Sequence, residues 1–334
     1  MMSGGMTRRR FLGAAVAFAG AGVVGWPRRG AAAEKVRMAC WSQPISEQAN
    51  VFAAQEFGWF REQGLDFEFV AGAGGGEALK HLLAGNADFA FTNVEPILFG
   101  VEQGAQVQVV YNIYPKNVFN VVSLKSKNIT RPQDLKGKRI GVYSMASGTR
   151  HNLLVILHSV GLRESDVEVV ATGVLNFGPL VEGRVDATAA TDTGLWAAQQ
   201  KGLGEVNVIW ARDYLDTPTD VFVVRAETAR RQPDLVKRFL RAYRKGSQWM
   251  LDHPDKAAEL AVKYATDGQD VRRNLEIIKL RNASAVSEGT RRHGLGWFDM
   301  DVLTHVEKTF LDLGLLKKPV GVESIFANRF VQEL

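Results

Sequence analysis

Two stretches of this chain are written to one pattern. Leu83–Asn93 reads LAGNADFAFTN and Leu180–Thr193 reads LVEGRVDATAATDT. Each carries a Gly, an Asp three residues on, and then small or apolar residues ending in Thr, Asn or Asp. Their surroundings repeat as well. From Lys35, KVRMACW reads as a strand and ISEQANVFAAQEFGWFREQG as a helix capped by Ser46 and stopped by Gly64. LDFEFVAG, GEALKHLLAG, ADFAFTN and, after a further helix, VQVVYNIY continue the alternation of strand and helix. From Lys138 the same order returns in KRIGVYS, GTRHNLLVILHSVG, VEVVATG, NFGPLVEG, VDATAATD, GLWAAQQKG and VNVIWARD. The sequence thus predicts an α/β chain built from two copies of one plan, each a mostly parallel sheet flanked by helices. Ligands of such sheets sit at the carboxyl ends of strands, so two facing copies place both polar strand ends in one cleft.

Asn117–Leu124 leaves the first copy as a strand-like run, and residues 219–227, TDVFVVRAE, follow the second. These read as paired crossing strands that act as a hinge. From Glu227 the chain reads helical, with a break at His253-Pro254, and is expected to fold back on the first lobe. The domain expectation is a first lobe of residues 34–118 plus 225–334 and a second lobe of 119–224.

Charge separates the N-terminus from the rest. The chain of 334 residues carries a formal charge of +5. Arg8, Arg9, Arg10, Arg28 and Arg29 account for all of it, because no acid lies in residues 1–33. The remainder is balanced, which argues against a nucleic-acid partner. Arg-Arg-Arg-Phe-Leu before an apolar run from Gly13 to Trp26, closed by Ala31-Ala32-Ala33, has the grammar of a cleaved secretory signal of the twin-arginine type. The expectation is a monomer exported to the periplasm and cleaved near Ala33. Cys40 is the single cysteine, so no internal disulfide forms, and no Cys/His cluster calls for a metal or other cofactor.

Strand ends and helix starts nominate the residues of the cleft. The first lobe offers Trp41, Ser42, Gln43, the glycines Gly74, Gly75 and Gly76, and Thr92, Asn93 and Glu95. The second offers Ser144, Ser147, Gly148, Thr149, Asn176, Phe177, Thr191 and Asp192. SMASGTRHN has the form of an anion cradle, hydroxyl residues ahead of a helix whose first N–H groups lack partners; ordinary capping by Ser147 or Thr149 is the other reading. The glycine run is not a phosphate loop, since no Gly-Lys-Ser/Thr follows. Trp41 is either a stacking platform for a flat ring or a core plug, and Tyr143 and Phe177 share that ambiguity. Glu95 and Asp192 stand at matched positions, one per lobe. Carboxylates there repel a small anion and suit the N–H donors of an amine or aminopyrimidine, unless they only cap the helices they begin.

The segments GWFREQGLDFEFV, GGGEALKHLLAGNADFAFTN, ITRPQDLKGKRIGV, LVEGRVDATAATD and PDLVKRFLRAYRKGSQWMLDHPDKA make the chain resemble the substrate-binding proteins of bacterial ABC importers. The group is the one that binds nitrate, taurine, alkanesulfonates and thiamine precursors such as hydroxymethylpyrimidine. The resemblance implies a two-lobed, type II periplasmic-binding-protein fold, capture of a small-molecule ligand between the lobes, and delivery to an ABC permease in the inner membrane. A nitrogen heterocycle is the expected ligand, and a small anion the alternative. The implied fold also resembles that of a few enzymes, among them a desulfinase and pyrimidine-precursor synthases, which makes a cleft enzyme using Cys40, with His81 or His151 as base, the rival class. The expectation is that the chain is not an enzyme. A sensory role for the same lobes reads identically in sequence.

Overall fold

The computed structural model describes residues 33–173 and 177–334; the signal reading of the N-terminus and the site residue Asn176 lie outside the described residues. Strands β1 (Glu34–Cys40), β2 (Leu65–Val70), β3 (Phe89–Asn93) and β4 (Val107–Tyr114) belong to one sheet. Strands β5 (Phe119–Leu124), β6 (Arg139–Val142), β7 (Glu168–Ala171), β8 (Ala187–Thr191) and β9 (Val206–Trp210) form a second. The last strand, β10 (Asp220–Arg225), returns to the first. The orders are β2-β1-β3-β10-β4 and β7-β6-β8-β5-β9. This is the expected two-lobed α/β fold.

Each crossing strand is the antiparallel member of the sheet it enters: β10 lies between β3 and β4, and β5 between β8 and β9. The two crossing strands are present as expected, and each inserts into the sheet of the lobe it enters. They are joined at their approaches by Thr219, whose N–H donates to Tyr114 O at 2.8 Å and whose hydroxyl donates to Lys116 O at 2.6 Å. Thr219 Oγ1 also accepts from Val118 N at 3.1 Å.

The twice-written phrase has one structural meaning in both lobes. Asp88 donates its N–H to Arg37 O and accepts from Arg37 N at 2.9 Å each, just ahead of β3. Asp186 does the same with Arg139, at 2.7 and 3.1 Å, just ahead of β8. Both aspartates pin an entering strand to its parallel neighbour. The turns before them need Gly85 and Gly183, whose φ values are 76° and 73°. The polar residues that end the phrase lie at the opposite, carboxyl end of the strand.

Helices α1 (Ala49–Glu56), α2 (Trp59–Glu62), α3 (Gly75–Leu83) and α4 (Val94–Glu102) accompany the first sheet. The second is covered by α5 (Gly148–His158), α6 (Phe177–Val181) and α7 (Asp192–Gln200). The C-terminal region comprises α8 (Ala226–Arg231), α9 (Pro233–Asp252), α10 (Pro254–Tyr264), α11 (Val271–Ala285), α12 (Glu288–His293) and α13 (Met300–Asp312), with His253 at the expected break. Strand alternation divides the first lobe into two cores. Phe89, Phe91 and Cys40 face α1, α2 and α9, while Ala39 and Ala90 face α3, α4 and α13. Phe239 of α9 stacks on Phe89 with centroids 3.8 Å apart and meets Phe60, Phe67 and Phe222. Burying such a ring contributes about 2–3 kcal/mol.

The first helix departs from its sequence reading. A 3-10 turn at Ser46–Gln48 precedes α1, and Gly58, at φ 74°, separates α1 from α2. Ser46 does not cap it. The N-cap of the turn is Ile45, and Ser46 instead donates its N–H to Asp267 Oδ1 at 2.7 Å.

Candidate functional site at the interlobe seam

The carboxyl end of β3 is the centre of the seam. Asn93 donates Nδ2 to Asp220 Oδ1 at 2.6 Å, and Thr92 donates its hydroxyl to Gly75 O at 2.7 Å. The starts of α3 and α5, one from each lobe, close on this point. A Cβ on Gly75 would lie 2.8 Å from Thr92 Oγ1; one on Gly148 would lie 2.8 Å from Asn93 Oδ1 and overlap the Phe119 ring. Only glycine permits both approaches. Direct hydrogen bonds then join the lobes: Gly76 N to Ala146 O at 3.0 Å, and Ser144 Oγ to Ala73 O at 2.6 Å.

The hydroxyls of the SMASG loop shape the loop. Ser147 Oγ donates to Ser144 O at 2.6 Å and lies 2.7 Å from Thr149 Oγ1, which accepts from Tyr143 N at 3.0 Å. Ser147 occupies the N-cap of α5 but makes no side-chain capping bond. The Ser147 side chain therefore does not cap α5, and its hydroxyl is spent within the loop.

Four carboxyl groups and one guanidinium lie along the seam. Glu95, in the first turn of α4, is 0% exposed. Asn152 of α5 donates to its Oε1 at 2.7 Å, across the seam, while Oε2 has no partner among the described residues. Burial pushes this carboxyl up to about 7, against the pull of Asn152 and its own backbone N–H. Asp192 opens α7, and its charge is matched by Arg281 of α11. Arg281 is 1% exposed and also holds its Nε 3.4 Å from Glu47 Oε2. Burial works against the Arg281 charge, but Asp192 and Glu47 outweigh it and keep the guanidinium firmly protonated. Glu47 in turn accepts from Thr193 Oγ1 at 2.6 Å; burial raises its carboxyl, and Arg281 and Thr193 offset part of that rise. Asp220 is raised well above the carboxylate range by burial, then by the charge of Glu47.

The remaining nominated residues are placed as follows. Trp41 packs partly buried against the first core, with its indole N–H buried and unpartnered among the described residues. Ser42 is buried, donating to Gln43 O at 2.7 Å and accepting from Gln48 at 3.0 Å; Gln43 is exposed. Phe177 is a core residue of the second lobe, beside Leu180 and Leu195, and Tyr143 is half-buried. Thr191 caps α7, accepting from Gly194 N. Glu47, Asn152, Asp220 and Arg281 escaped sequence reasoning. Arg281 had one legible signal: with Ile277, Ile278 and Ala285 it lies on the buried stripe of α11.

Cys40 is a poor nucleophile here. It sits at 0% exposure in the apolar core, 3.9 Å from Ser42 Oγ, and burial pushes its thiol up to about 12. His151 is buried against Phe99, with its ring lowered to about 4 by burial and then by Arg150, and His81 lies partly exposed on α3.

Among known proteins, the chain is 27% identical to the riboflavin-binding protein RibY of Chloroflexus aurantiacus over 73% of this chain and 70% of that one. It is 25% identical to the 4-amino-5-hydroxymethyl-2-methylpyrimidine phosphate synthase THI12 of Saccharomyces cerevisiae, over 64% of this chain and 66% of that one. The crystal structure of the periplasmic aliphatic sulphonate binding protein SsuA of Escherichia coli shares the fold, with a TM-score of 0.69 at 16% identity, covering 89% of this chain and 99% of that one. These relatives correct one expectation. A protein named as a synthase stands beside those named as binding proteins, so the expectation that the chain is not an enzyme does not hold. No helix among the described residues is long and apolar enough to cross a membrane. The family described as NMT1/THI5 like matches residues 45–257, more than half of the chain, and the chain belongs to that family.

Proposed function

We propose that this chain is an extracytoplasmic solute-binding protein that captures a small molecule at the interlobe seam and delivers it to an ABC permease. The ligand in this reading is a nitrogen heterocycle, such as a thiamine pyrimidine precursor. The observation that carries it is Glu95: a fully buried carboxyl on the seam, with one oxygen held by Asn152 and the other unpartnered among the described residues. An N–H donor from a ligand would satisfy that oxygen with a charge-assisted hydrogen bond, and the unpartnered Trp41 N–H offers a complementary donor. RibY, named for a heterocycle, is consistent with this chemistry. The lobes are taken as 34–118 plus 225–334 and 119–224, the protein as a monomer, and export as following the twin-arginine route.

The opposed starts of α3 and α5 favour a second ligand, a small anion such as an alkanesulfonate, taurine or nitrate. Against it stands the seam's excess of carboxyl groups, whose one guanidinium is engaged by Asp192. A thermal-shift screen of the purified protein, unfolded and refolded to strip bound solute, separates the two. The panel sets hydroxymethylpyrimidine, thiamine, riboflavin and purines against taurine, alkanesulfonates and nitrate. A ligand at a hundred times its Kd adds about 2.7 kcal/mol, a shift of roughly 5 °C in a chain of this size. Shifts with heterocycles support the first ligand, shifts with anions alone support the second, and a flat panel refutes capture of these classes.

A further inference from the structure

Arg281 belongs to neither sheet, yet it joins both lobes. Its helix, α11, packs on the 3-10 turn of Ser46–Gln48 and on β4 of the first lobe, and meets α7 of the second. The guanidinium, 1% exposed, holds Glu47 on the first-lobe side and Asp192 on the second, and stands 5.4 Å over the ring of Tyr114, where the chain leaves the first sheet. A third bond crosses at the same place, from Thr193 Oγ1 of α7 to Glu47 Oε1 at 2.6 Å. Lys116, between the sheets, donates to Ala283 O of α11 at 2.8 Å. The group is thus tied to the hinge and to both lobes. It is distinct from the Ser144–Ala73 and Gly76–Ala146 contacts and from the Glu95–Asn152 bond on which the ligand reading rests.

We infer that Glu47, Arg281, Asp192 and Thr193 form a latch that holds the two lobes closed without a ligand, and so sets how often the seam opens to exchange solute. When the lobes part, Asp192 and Thr193 leave with α7, while Glu47 stays with Arg281. The guanidinium therefore keeps one carboxylate in either form. A buried cation left with none would be costly, whereas one that alternates between one partner and two gives an opening that is opposed but not forbidden. A closed form held in this way is populated before ligand arrives, and an apparent affinity falls with the fraction of protein that is open to bind.

The test needs no ligand. Spin labels placed on the full chain through L83C and V181C, exposed positions of α3 and α6 in opposite lobes, report the interlobe distance by pulsed electron resonance; native Cys40 is buried and stays unlabelled. The unmodified latch is expected to give one short distance. Asp192→Asn, which leaves the Glu47–Arg281 pair in place, and Thr193→Val are each expected to add a longer one. Asp192→Asn lowers the closed-to-open ratio about tenfold, the effect of one charge-assisted hydrogen bond. Glu288→Gln, which breaks an exposed pair with Arg292, leaves the distribution as it was. Arg281→Met has a larger effect where circular dichroism shows it folded; the other variants decide the matter where it does not. Distances in Asp192→Asn and Thr193→Val that superpose on the parent, or a parent already open, overturn the latch. The inference rests on the two-lobe reading of the seam but on no solute, so a flat ligand screen leaves it standing and a failed latch leaves capture standing.

Discussion

Replacing Glu95 by Gln should make the protein more stable, and only above a definite pH. Burial moves this carboxyl from its ordinary 4.5 up to about 7, with Asn152 supplying the one side-chain hydrogen bond that opposes the rise. Between these values the folded chain holds a proton that the unfolded chain has released. Stability therefore falls as pH rises through the window, and above about pH 7 the whole penalty is present. The gap corresponds to about 3 kcal/mol. Gln keeps an oxygen for Asn152 and does not titrate. The variant and parent should match near pH 4.5, while at pH 8 the variant should gain up to about 3 kcal/mol, or roughly 6 °C in Tm. The Glu95 charge also raises the Asp220 carboxyl, so its removal relaxes Asp220 in the same stabilising direction. Urea unfolding of both proteins at pH 5 and pH 8 measures the difference. A gap that does not widen with pH, or a variant weaker at both values, would show that burial does not destabilise the Glu95 charge.

Cys40, fully buried and held as a thiol, should resist an aromatic disulfide reagent at pH 8 and react only as fast as the chain unfolds; prompt stoichiometric labelling of the native protein would refute its placement. Gly148→Ala should cost about 1–3 kcal/mol, because the added methyl meets Asn93 Oδ1 from the other lobe and the Phe119 ring. An unchanged urea midpoint would mean that the α5 start does not approach Asn93 as closely as described.

Much of this architecture was legible because its signals are local. The strand alternation of Phe89, Ala90 and Phe91 and the turn glycines Gly85 and Gly183 each declare themselves within a few residues. The first helix was misread where a distant partner intervened: Ser46 bonds Asp267, from far along the chain, and the left-handed Gly58 splits the helical run. The site divides in the same way. Glu95 and Asp192 were visible because each follows a polar strand end. Which of them is neutralised was not visible, since Arg281 comes from a helix beyond both sheets and reaches Asp192 only through the fold. Apolar spacing can reveal that Arg281 is buried, but the identity of its partner is a tertiary fact.

That division bears on which carboxylate is left for a ligand. The two acids look equivalent in sequence, one at each lobe's strand end. In the structure Asp192 has a full counter-charge and a hydrogen bond from Thr193 N at 2.7 Å, so it has no unmet electrostatic demand. Glu95 has no counter-charge, only its own backbone N–H and the neutral amide of Asn152, and its second oxygen is unpartnered among the described residues. Burying a charge without a counter-charge is unfavourable, and stability alone would be better served by an amide at this position. On the proposed reading, a carboxyl that weakens the fold while lying between the lobes is kept for the ligand it meets. An N–H donor placed on Glu95 Oε2 would lower the cost of its charge and bind to a residue whose lobe closes on it through Asn152. Asp192 already has its counter-charge in Arg281 and leaves no such demand for a ligand to meet.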